Sequence, residues 1–414
     1  MLAPVAHAEP APAAPVTAQP SAPAPQLPLQ AAADERPAAA GDCSAADLDR
    51  LAAQGQTTAV CTTTSPAATR PTAAAVQALA GTIPQWCLDE PASDGWYLLR
   101  TEACKNSTAT VTVRQRVANR WVTVGEVEFN DLHHLETNAT NTEMLYTHRA
   151  IPFRVVGAAV VNLGGRFSCS SRCTVTGQQY PPQPLYSGQV VGGEATITNT
   201  APAVGRRNSK TGTVHLTATA PAARPARSSE TSPRVRCDNA IPGYRVAGCV
   251  FPNFVPAMQY ALNGPFPELA RHIRDAQQSG LPGAYPNGRV LNRTTPANAT
   301  QNRNRSCPTG QNPFPRPPGK SCDEYPFAST RQGAFTANPN TPPRRLRRTF
   351  PWCQLPASVP TNRTGSRGYS ICMIDEDDNE DGGAALNTTF YQTQRILPPA
   401  SARGTGDAFR VWIT

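Results

Sequence analysis

The C-terminal half of the chain contains the run Ser321-Cys322-Asp323-Glu324-Tyr325-Pro326-Phe327-Ala328-Ser329-Thr330. These residue types predict a short β-strand that carries two adjacent carboxylates and is followed at once by a proline. Successive side chains of a strand point to opposite faces, so at most one of the two acids is expected on the solvated face. An acid beside an aromatic ring and a proline is a candidate for a shifted pKa and for general-base catalysis. The alternative interpretation is a solvated strand end capped by acids.

The composition limits the architecture and hints at a partner. A chain of 414 residues is long enough for about two or three domains. Its 43 prolines and its charged fraction of only 16% mean that parts of it are not packed helix. The net charge is +9 and arises almost entirely from arginine, whose planar fork suits phosphate. A polyanionic partner is therefore indicated weakly, since a basic excess is also common in secreted proteins.

The cysteines and the N-terminus both predict secretion. Twelve cysteines occur without the spacing of a zinc site, so we expect disulfides, with Cys169/Cys173 and Cys237/Cys249 close in sequence. Residues 1–8 end in Ala6-His7-Ala8, which resembles the cleavage site of a signal peptide whose first part is missing. No window approaches the ~18 apolar residues of a membrane span, so the mature protein is expected to be soluble.

Changes in composition divide the chain into segments. Residues 9–41 are rich in Ala and Pro and predict a disordered spacer. Residues 42–220 contain a helical patch at 45–53 and then runs of β-branched and aromatic residues, which predict an antiparallel sandwich or barrel of unknown role. Residues 221–235 read as an interdomain linker, and 236–414 as an α+β domain. The predicted strands of the first domain lie at 96–100, 109–114, 121–127, 153–161, 194–200 and 211–219.

Three histidines of the predicted β domain raise the question of a metal. His133, His134 and His148 are possible ligands, but the sequence shows no third ligand type at a typical spacing. Surface histidines are therefore the favoured interpretation.

The C-terminal part combines helices and strands with two strongly charged runs. Leu269, Ile273 and Ala276 have helical spacing in a predicted helix over 266–280, which Gly280 would end. A basic run occupies 343–348, and a predicted strand at 369–374 leads into an acidic turn at 375–383. A helix at 384–393 and a strand at 409–413 complete the predicted elements.

Four segments of this part resemble a known family. The segments 272–280, 322–328, 378–383 and 407–411 are similar, in order, to the motifs of NucA/NucB-type deoxyribonucleases in their secreted actinobacterial form. The resemblance covers roughly residues 236–414 and implies a ββα-metal nuclease core, which the order strand, strand, helix around two polar clusters would supply. Three departures are Gly333-Ala334, where the family tends to have Gly-Gly, Cys322, where the short enzymes of the family have arginine, and the acidic residues that surround Asn379.

The resemblance implies a role for each polar residue. Asp323 would be the general base, and Asn379 would hold a hydrated Mg²⁺ or Mn²⁺ at the start of a helix. Glu324 would orient Asp323, contact metal-bound water or be structural, and the sequence does not decide which acid takes the proton. The alternative role of Asn379 is a helix N-cap.

The implied activity is secreted, metal-dependent and sequence-nonspecific cleavage of DNA, with the arginines contacting backbone phosphates. For the basic run, a solvated loop is the alternative. For the whole protein, the alternative is a non-enzymatic secreted binding protein with a degenerate nuclease-like domain. The candidate DNA-binding residues are Arg303, Arg305, Arg344, Arg345, Arg347 and Arg348.

Overall fold

The computed structural model describes residues 43–65, 77, 79, 81–157, 160–310, 313–401 and 404–414. The predicted remnant of a signal peptide, 1–8, and the predicted spacer, 9–41, lie outside the described residues.

The N-terminal part is built on one large antiparallel sheet that curls into a half-barrel. Its strands follow the order β1-β3-β4-β5-β9-β7, and β2 pairs with β3 beside this path. The long hairpins have strong β-formers at period two, which favours this structure over helix. The bounds are β1 (Thr58–Ser65), β2 (Tyr97–Leu98), β3 (Glu102–Val117), β4 (Arg120–Thr137), β5 (Glu143–Gly157), β7 (Cys173–Gln179) and β9 (Val191–Asn199).

Two smaller antiparallel sheets complete this part and confirm that it is β-rich. One has the order β12-β11-β6-β8 and the other β10-β13-β14. The large sheet and the four-stranded sheet share a core that includes Trp96, Phe129, Tyr146, Phe167 and Tyr180. The bounds are β6 (Asn162–Cys169), β8 (Gln183–Pro184), β10 (Arg207–Lys210), β11 (Gly212–Thr219), β12 (Ala226–Thr231), β13 (Val235–Asp238) and β14 (Gly248–Val250). Helices α1 (Ala45–Ala53) and α2 (Gln85–Asp89) flank them.

The C-terminal part has two three-stranded sheets around a second hydrophobic core. The sheets have the orders β15-β20-β16 and β17-β19-β18, each with one parallel pair. The strands are β15 (Ala257–Tyr260), β16 (Leu291–Asn292), β17 (Lys320–Tyr325), β18 (Arg347–Arg348), β19 (Tyr369–Asp375) and β20 (Ala408–Ile413). The helices are α3 (Pro267–Gln278), α4 (Pro296–Ser306), α5 (Glu376–Ala384) and α6 (Tyr391–Thr393), with a 3₁₀ turn at Pro343–Arg345 and a π-helical turn at Ala385–Phe390. None of the helices in the described ranges has the length and apolar character to cross a bilayer.

Helix α3 forms where the sequence predicts it. Pro267 occupies its first turn, and Leu269, Ile273 and Ala276 are buried on one face against the second core. Gly280 has φ +97° directly after the helix, a backbone conformation that favours glycine.

All twelve cysteines are paired in six disulfides, as the sequence predicts. Cys169–Cys173 and Cys237–Cys249 are among them. The others are Cys43–Cys61, Cys87–Cys104, Cys307–Cys322 and Cys353–Cys372. Pairing of this density fits an oxidising compartment.

The prediction that residues 221–235 form a linker is wrong. Most of this segment lies in β12, which pairs with β11, and in the turn that leads to β13. Glu230 accepts hydrogen bonds from Trp96 and Lys105, and Val235 is fully buried. The segment is poor in apolar residues because β12 lies at a sheet edge, where backbone pairing needs little side-chain burial.

The expectation of surface histidines is also wrong. His133 and His148 are 0% exposed and His134 only 6%, because β4 and β5 direct these side chains into the interior of the fold. Their burial depends on the register of the β4–β5 hairpin and on the aromatic residues that cover it, which the sequence around each histidine does not specify.

A network of buried arginines joins the two parts of the chain. Arg236 binds Asp407 through two contacts of 2.6 and 2.7 Å, and Arg100 donates to the backbone oxygens of residues 394 and 395. Arg395 in turn binds the carboxylate of Asp238 and the carbonyl of Ala139. Burial acts to raise the pKa of the Asp407 carboxyl, but Arg236 and Arg100 hold it below its usual range. The N-terminal sheets and the C-terminal core are therefore fixed to each other by ion pairs removed from water.

Replacement of Arg395 by Met should lower the free energy of unfolding by about 3–5 kcal/mol, because the buried Asp238 would lose one of its two arginine partners and the carbonyls of Ala139 and Val246 would lose their donor. Urea denaturation followed by fluorescence measures this. The control is Arg50→Met, which breaks a solvent-exposed pair with Asp47 and should cost less than about 1 kcal/mol. Equal effects of the two changes would show that the network contributes no more than a surface pair.

Candidate active site

The two acids of the 321–330 run lie on β17, which pairs antiparallel with β19. Asp323 stands opposite Cys372 and Glu324 opposite Ile371, so both acids are at the centre of a buried ladder. Helix α5 starts directly where β19 ends and packs against both strands. Two strands and a following helix therefore carry the polar groups of the site.

Asp323 has one defined partner. Its Oδ2 accepts a hydrogen bond of 2.5 Å from Nδ1 of His272, which projects from α3 and is completely buried. Phe350 contacts the same ring edge-on and restricts its rotation. A short bond to a fixed imidazole holds the carboxylate in one orientation and leaves its second oxygen for another partner.

Glu324 has a different environment from its neighbour. Burial raises its pKa from 4.5 to about 7, and the adjacent charge of Asp323 adds to this shift, while Arg303 opposes it. Two consecutive acids thus differ in their surroundings, as the alternation of a strand predicts. A carboxyl group with a pKa near neutrality exchanges protons readily at physiological pH.

Asn379 lies in the second turn of α5, and the N-cap of that helix is Asp375. The alternative that Asn379 is itself the N-cap is therefore wrong. Its Nδ2 donates to Oγ of Ser321 at 2.8 Å and to the carbonyl of Cys322 at 3.3 Å. Because the amide nitrogen is used in these bonds, the side-chain oxygen is the atom left to bind a cation.

The acidic run around Asn379 has a structural basis. Asp375 caps α5, and Asp378 accepts a hydrogen bond from the backbone N–H of Glu268 in the first turn of α3. Glu268 accepts from Lys320 and from the backbone N–H of Asp375. Acids near helix N-termini are favourable because they face unpaired N–H groups and the positive end of the helix dipole. Part of this charge is therefore neutralised within the fold.

A disulfide anchors the strand of the two acids. Cys322 is bonded to Cys307, the residue that follows α4, so the helix and β17 are joined one residue before Asp323. Asn302 of α4 is fully buried and donates to the carbonyls of Ala328 and Thr330, at the C-terminal end of the run. The backbone of the 321–330 run is thus held at both ends by α4.

The acids and the asparagine open onto one cleft of about 910 Å³. Asp323, Glu324 and Asn379 line it together, and α4 contributes Arg303. Arg316 is a further exposed arginine of the lining, which the sequence analysis did not single out. The cleft therefore combines two carboxylates, an amide oxygen and basic side chains in one open space.

Only part of the predicted set of arginines is available to a ligand there. The prediction for Arg348 is wrong, because its guanidinium is fully buried and donates to backbone oxygens of Ser279, Gly365 and Arg367. Arg305 is half-buried and donates to the carbonyls of Pro339 and Thr341.

The other predicted arginines differ in their exposure. Arg303 is exposed and lines the cleft. Arg347 is half-buried and its guanidinium lies over the ring of Phe314. Arg344 and Arg345 are exposed but are not part of the cleft lining.

The comparison with protein families identifies the segment that contains the two acids. The family model "Deoxyribonuclease NucA/NucB" matches residues 282–349, in the C-terminal part of the chain. The resemblance of this part to that family is thereby confirmed. The matched segment includes Asp323 and Glu324, whereas His272 and Asn379 lie outside it. Neither the curated proteins nor the solved structures contain a match to this chain.

The raised pKa of Glu324 predicts a pH dependence of stability. Its folded-state pKa exceeds the unfolded value, so its contribution is complete below pH 4.5 and is lost as the pH rises through about 7. Over this window the wild type should lose up to about 3 kcal/mol relative to Glu324→Gln. Denaturation curves between about pH 4.5 and 8, recorded with a chelator present, measure the difference.

The matched control is Glu376→Gln, an exposed acid on α5. It should follow the wild-type pH profile. If Glu324→Gln has that same profile, the carboxyl group of Glu324 is already ionised in the folded protein at low pH.

Proposed function

We propose that the C-terminal part of this protein is a secreted, metal-dependent deoxyribonuclease that hydrolyses phosphodiester bonds of DNA with little base preference. The observation that carries the proposal is the convergence of Asp323, Glu324, Asn379 and Arg303 on one cleft, and all of these except Asn379 lie in the segment that matches the NucA/NucB family. The six disulfides support action in an oxidising, extracellular compartment. In this proposal β17, β19 and α5 form the ββα-metal core.

Asp323 acts as the general base. His272 holds one of its oxygens, and the other is free to take a proton from the water that attacks the phosphorus. A hydrogen bond from a buried, fixed donor keeps the carboxylate oriented without the mobility of a surface side chain. His272 is thus a positioning residue.

Glu324 is the competing acid. Its pKa of about 7 keeps a proton on it through part of the neutral range, which lowers the negative charge that faces the phosphate backbone. Since a group with that pKa is also a capable base, the roles of the two acids are separated by the variants below.

The donors fit a hard divalent cation such as Mg²⁺ or Mn²⁺. The side-chain oxygen of Asn379 is the proposed protein ligand, and the remaining ligands would be water, as magnesium prefers. When bound, such a cation would supply Lewis-acid polarisation of the phosphate and stabilisation of the leaving oxygen.

DNA is held through its backbone. Arg303 and Arg316 in the lining of the cleft offer bidentate donors to phosphate oxygens, which carry no sequence information. Base preference should therefore be small. Arg344 and Arg345 extend the candidate surface beyond the cleft.

Asp323→Asn should remain folded and lose plasmid cleavage by at least about 10²-fold, because the amide can accept the bond from His272 but cannot accept a proton. Supercoiled plasmid with Mg²⁺ or Mn²⁺, with and without EDTA, gives the rates. Circular dichroism confirms folding.

Three further variants test the charge control, the metal ligand and the second acid. Asp381→Asn removes the same charge from an exposed position of α5 and should cleave at close to the wild-type rate. Asn379→Ala should lose activity that high Mg²⁺ or Mn²⁺ partly restores, since mass action offsets a lost ligand. If Glu324→Gln is inactive while Asp323→Asn is not, Glu324 is the base. An inactive wild type would favour the alternative, a binding protein with a degenerate nuclease-like domain.

Neutralisation of the two arginines of the cleft should flatten the salt dependence of DNA binding. In an Asp323→Asn background, Arg303→Gln with Arg316→Gln should reduce the slope of log affinity against log salt by about one to two units. Fluorescence anisotropy with a labelled duplex measures it. The comparison is Arg344→Gln with Arg345→Gln, and a larger effect of that pair would place DNA on the basic run instead of in the cleft.

A further inference from the structure

A second polar cluster lies in the N-terminal part, inside the half-barrel. Asp131 and His133 are two residues apart on β4, so their side chains share one face. His148 on β5 stands directly opposite His133 in the antiparallel register. Pairing of the two strands therefore brings one carboxylate and two imidazoles together on the inner face of the sheet.

The cluster is surrounded by the aromatic core. Both histidines are 0% exposed, and Trp96, Tyr146 and Tyr180 contact their rings. A carboxylate in such a place is costly unless its charge is compensated. Asp131 forms its ion pairs with the two imidazoles. A divalent cation held by all three side chains would compensate the charge of this carboxylate.

The ligand atoms point at one another. Nε2 of His148 lies 2.7 Å from Oδ1 of Asp131, and Nε2 of His133 lies 3.2 Å from Oδ2. One ligand atom from each residue falls within a common spread of 4.8 Å. A tetrahedral ion bound at about 2.0–2.1 Å needs ligand atoms about 3.4 Å apart, so small side-chain movements suffice.

The outward nitrogens of both rings also have partners. Nδ1 of His148 lies 2.8 Å from the hydroxyl of Tyr180, and Nδ1 of His133 lies 3.3 Å from that of Tyr146. In a metal site, these nitrogens carry the protons and the phenol oxygens accept them. Such outer partners fix the tautomer and the orientation of metal-bound histidines.

We propose that Asp131, His133 and His148 bind a zinc ion in the β-rich part, at a site separate from the cation site of the nuclease cleft. Two nitrogens and one carboxylate oxygen suit zinc, whereas magnesium prefers oxygen ligands alone. Because Asp131, His133 and His148 are all buried, the ion binds as the sheet folds and links β4 to β5. Its role is structural.

The competing explanation is a metal-free triad in which both Nε2–H groups donate to Asp131 and the tyrosines donate to Nδ1. The two explanations differ in what the purified protein contains and in how it responds to a chelator.

The test uses the untagged full chain, equilibrated with Zn²⁺ and dialysed before elemental analysis by mass spectrometry. The wild type should retain about one equivalent of zinc per chain, and dipicolinate should lower its thermal midpoint, which Zn²⁺ and not Mg²⁺ restores. Replacement of zinc by Co²⁺ should give visible absorption bands from nitrogen and oxygen ligation. A wild type without zinc and with an unchanged midpoint overturns the proposal.

Variants locate the ion. His133→Gln and His148→Gln should each reduce the retained zinc at least about tenfold. The matched control is His215→Gln on β11. The ring of His215 forms a hydrogen bond with Ser168 outside the cluster, so this variant should retain the wild-type zinc content. Asn379→Ala should also retain zinc, which separates this site from the nuclease site. Full zinc in both cluster variants would overturn the assignment, and if they fail to fold, the Co²⁺ spectrum and midpoint of the wild type decide.

Discussion

The buried pairing of Arg236 and Arg395 with Asp238 and Asp407 is the constraint on which the arrangement of the molecule depends. These charges lie between the N-terminal sheets and the C-terminal core, and they are buried. Separation of the two parts would therefore break the ion pairs. The restraint continues toward the cleft, because Arg293 of its lining donates to the carbonyl of Ile396, the residue after Arg395. The β-rich part therefore supports one wall of the candidate active-site cleft through backbone contacts.

Within the cleft, strand β17 places two consecutive acids, Asp323 and Glu324, in different environments. Alternation directs Asp323 toward His272 on α3, while Glu324 enters an environment where burial dominates its pKa. In many enzymes, different environments give two carboxyl groups different pKa values, so that one can act as an acid and the other as a base. The difference here arises from the strand itself and from the helices on either side of it, α3 and α4, with the Cys307–Cys322 disulfide fixing the register.

The sequence predicts the features that local patterns determine. It fails where strand register and tertiary contacts decide the structure. Helices 45–53 and 267–278, the β-rich character of the first half, and the oxidised state of the cysteines, though not which cysteine pairs with which, follow from periodicity, composition and redox chemistry. The segment 221–235 has the composition of a linker, yet its backbone pairs at a sheet edge. Likewise, the burial of His133 and His148 depends on a register between β4 and β5, and the burial of Arg348 depends on carbonyls from two distant loops.

Under the proposed function, the remaining charges of the cleft would couple the binding of a metal ion to the binding of DNA. The carboxylates of Asp375, Asp378 and Glu268 accept hydrogen bonds from backbone N–H groups or from Lys320. Their negative charge is therefore partly compensated within the fold. Glu380 lines the cleft beside Asn379 and is exposed, as are Asp377 and Asp381 of the same helix. This side repels phosphate, whereas Arg303 attracts it. A divalent cation at Asn379 would cancel the repulsion where the scissile phosphate must approach. By linkage, DNA would then strengthen the binding of the cation by the same factor by which the cation strengthens the binding of DNA.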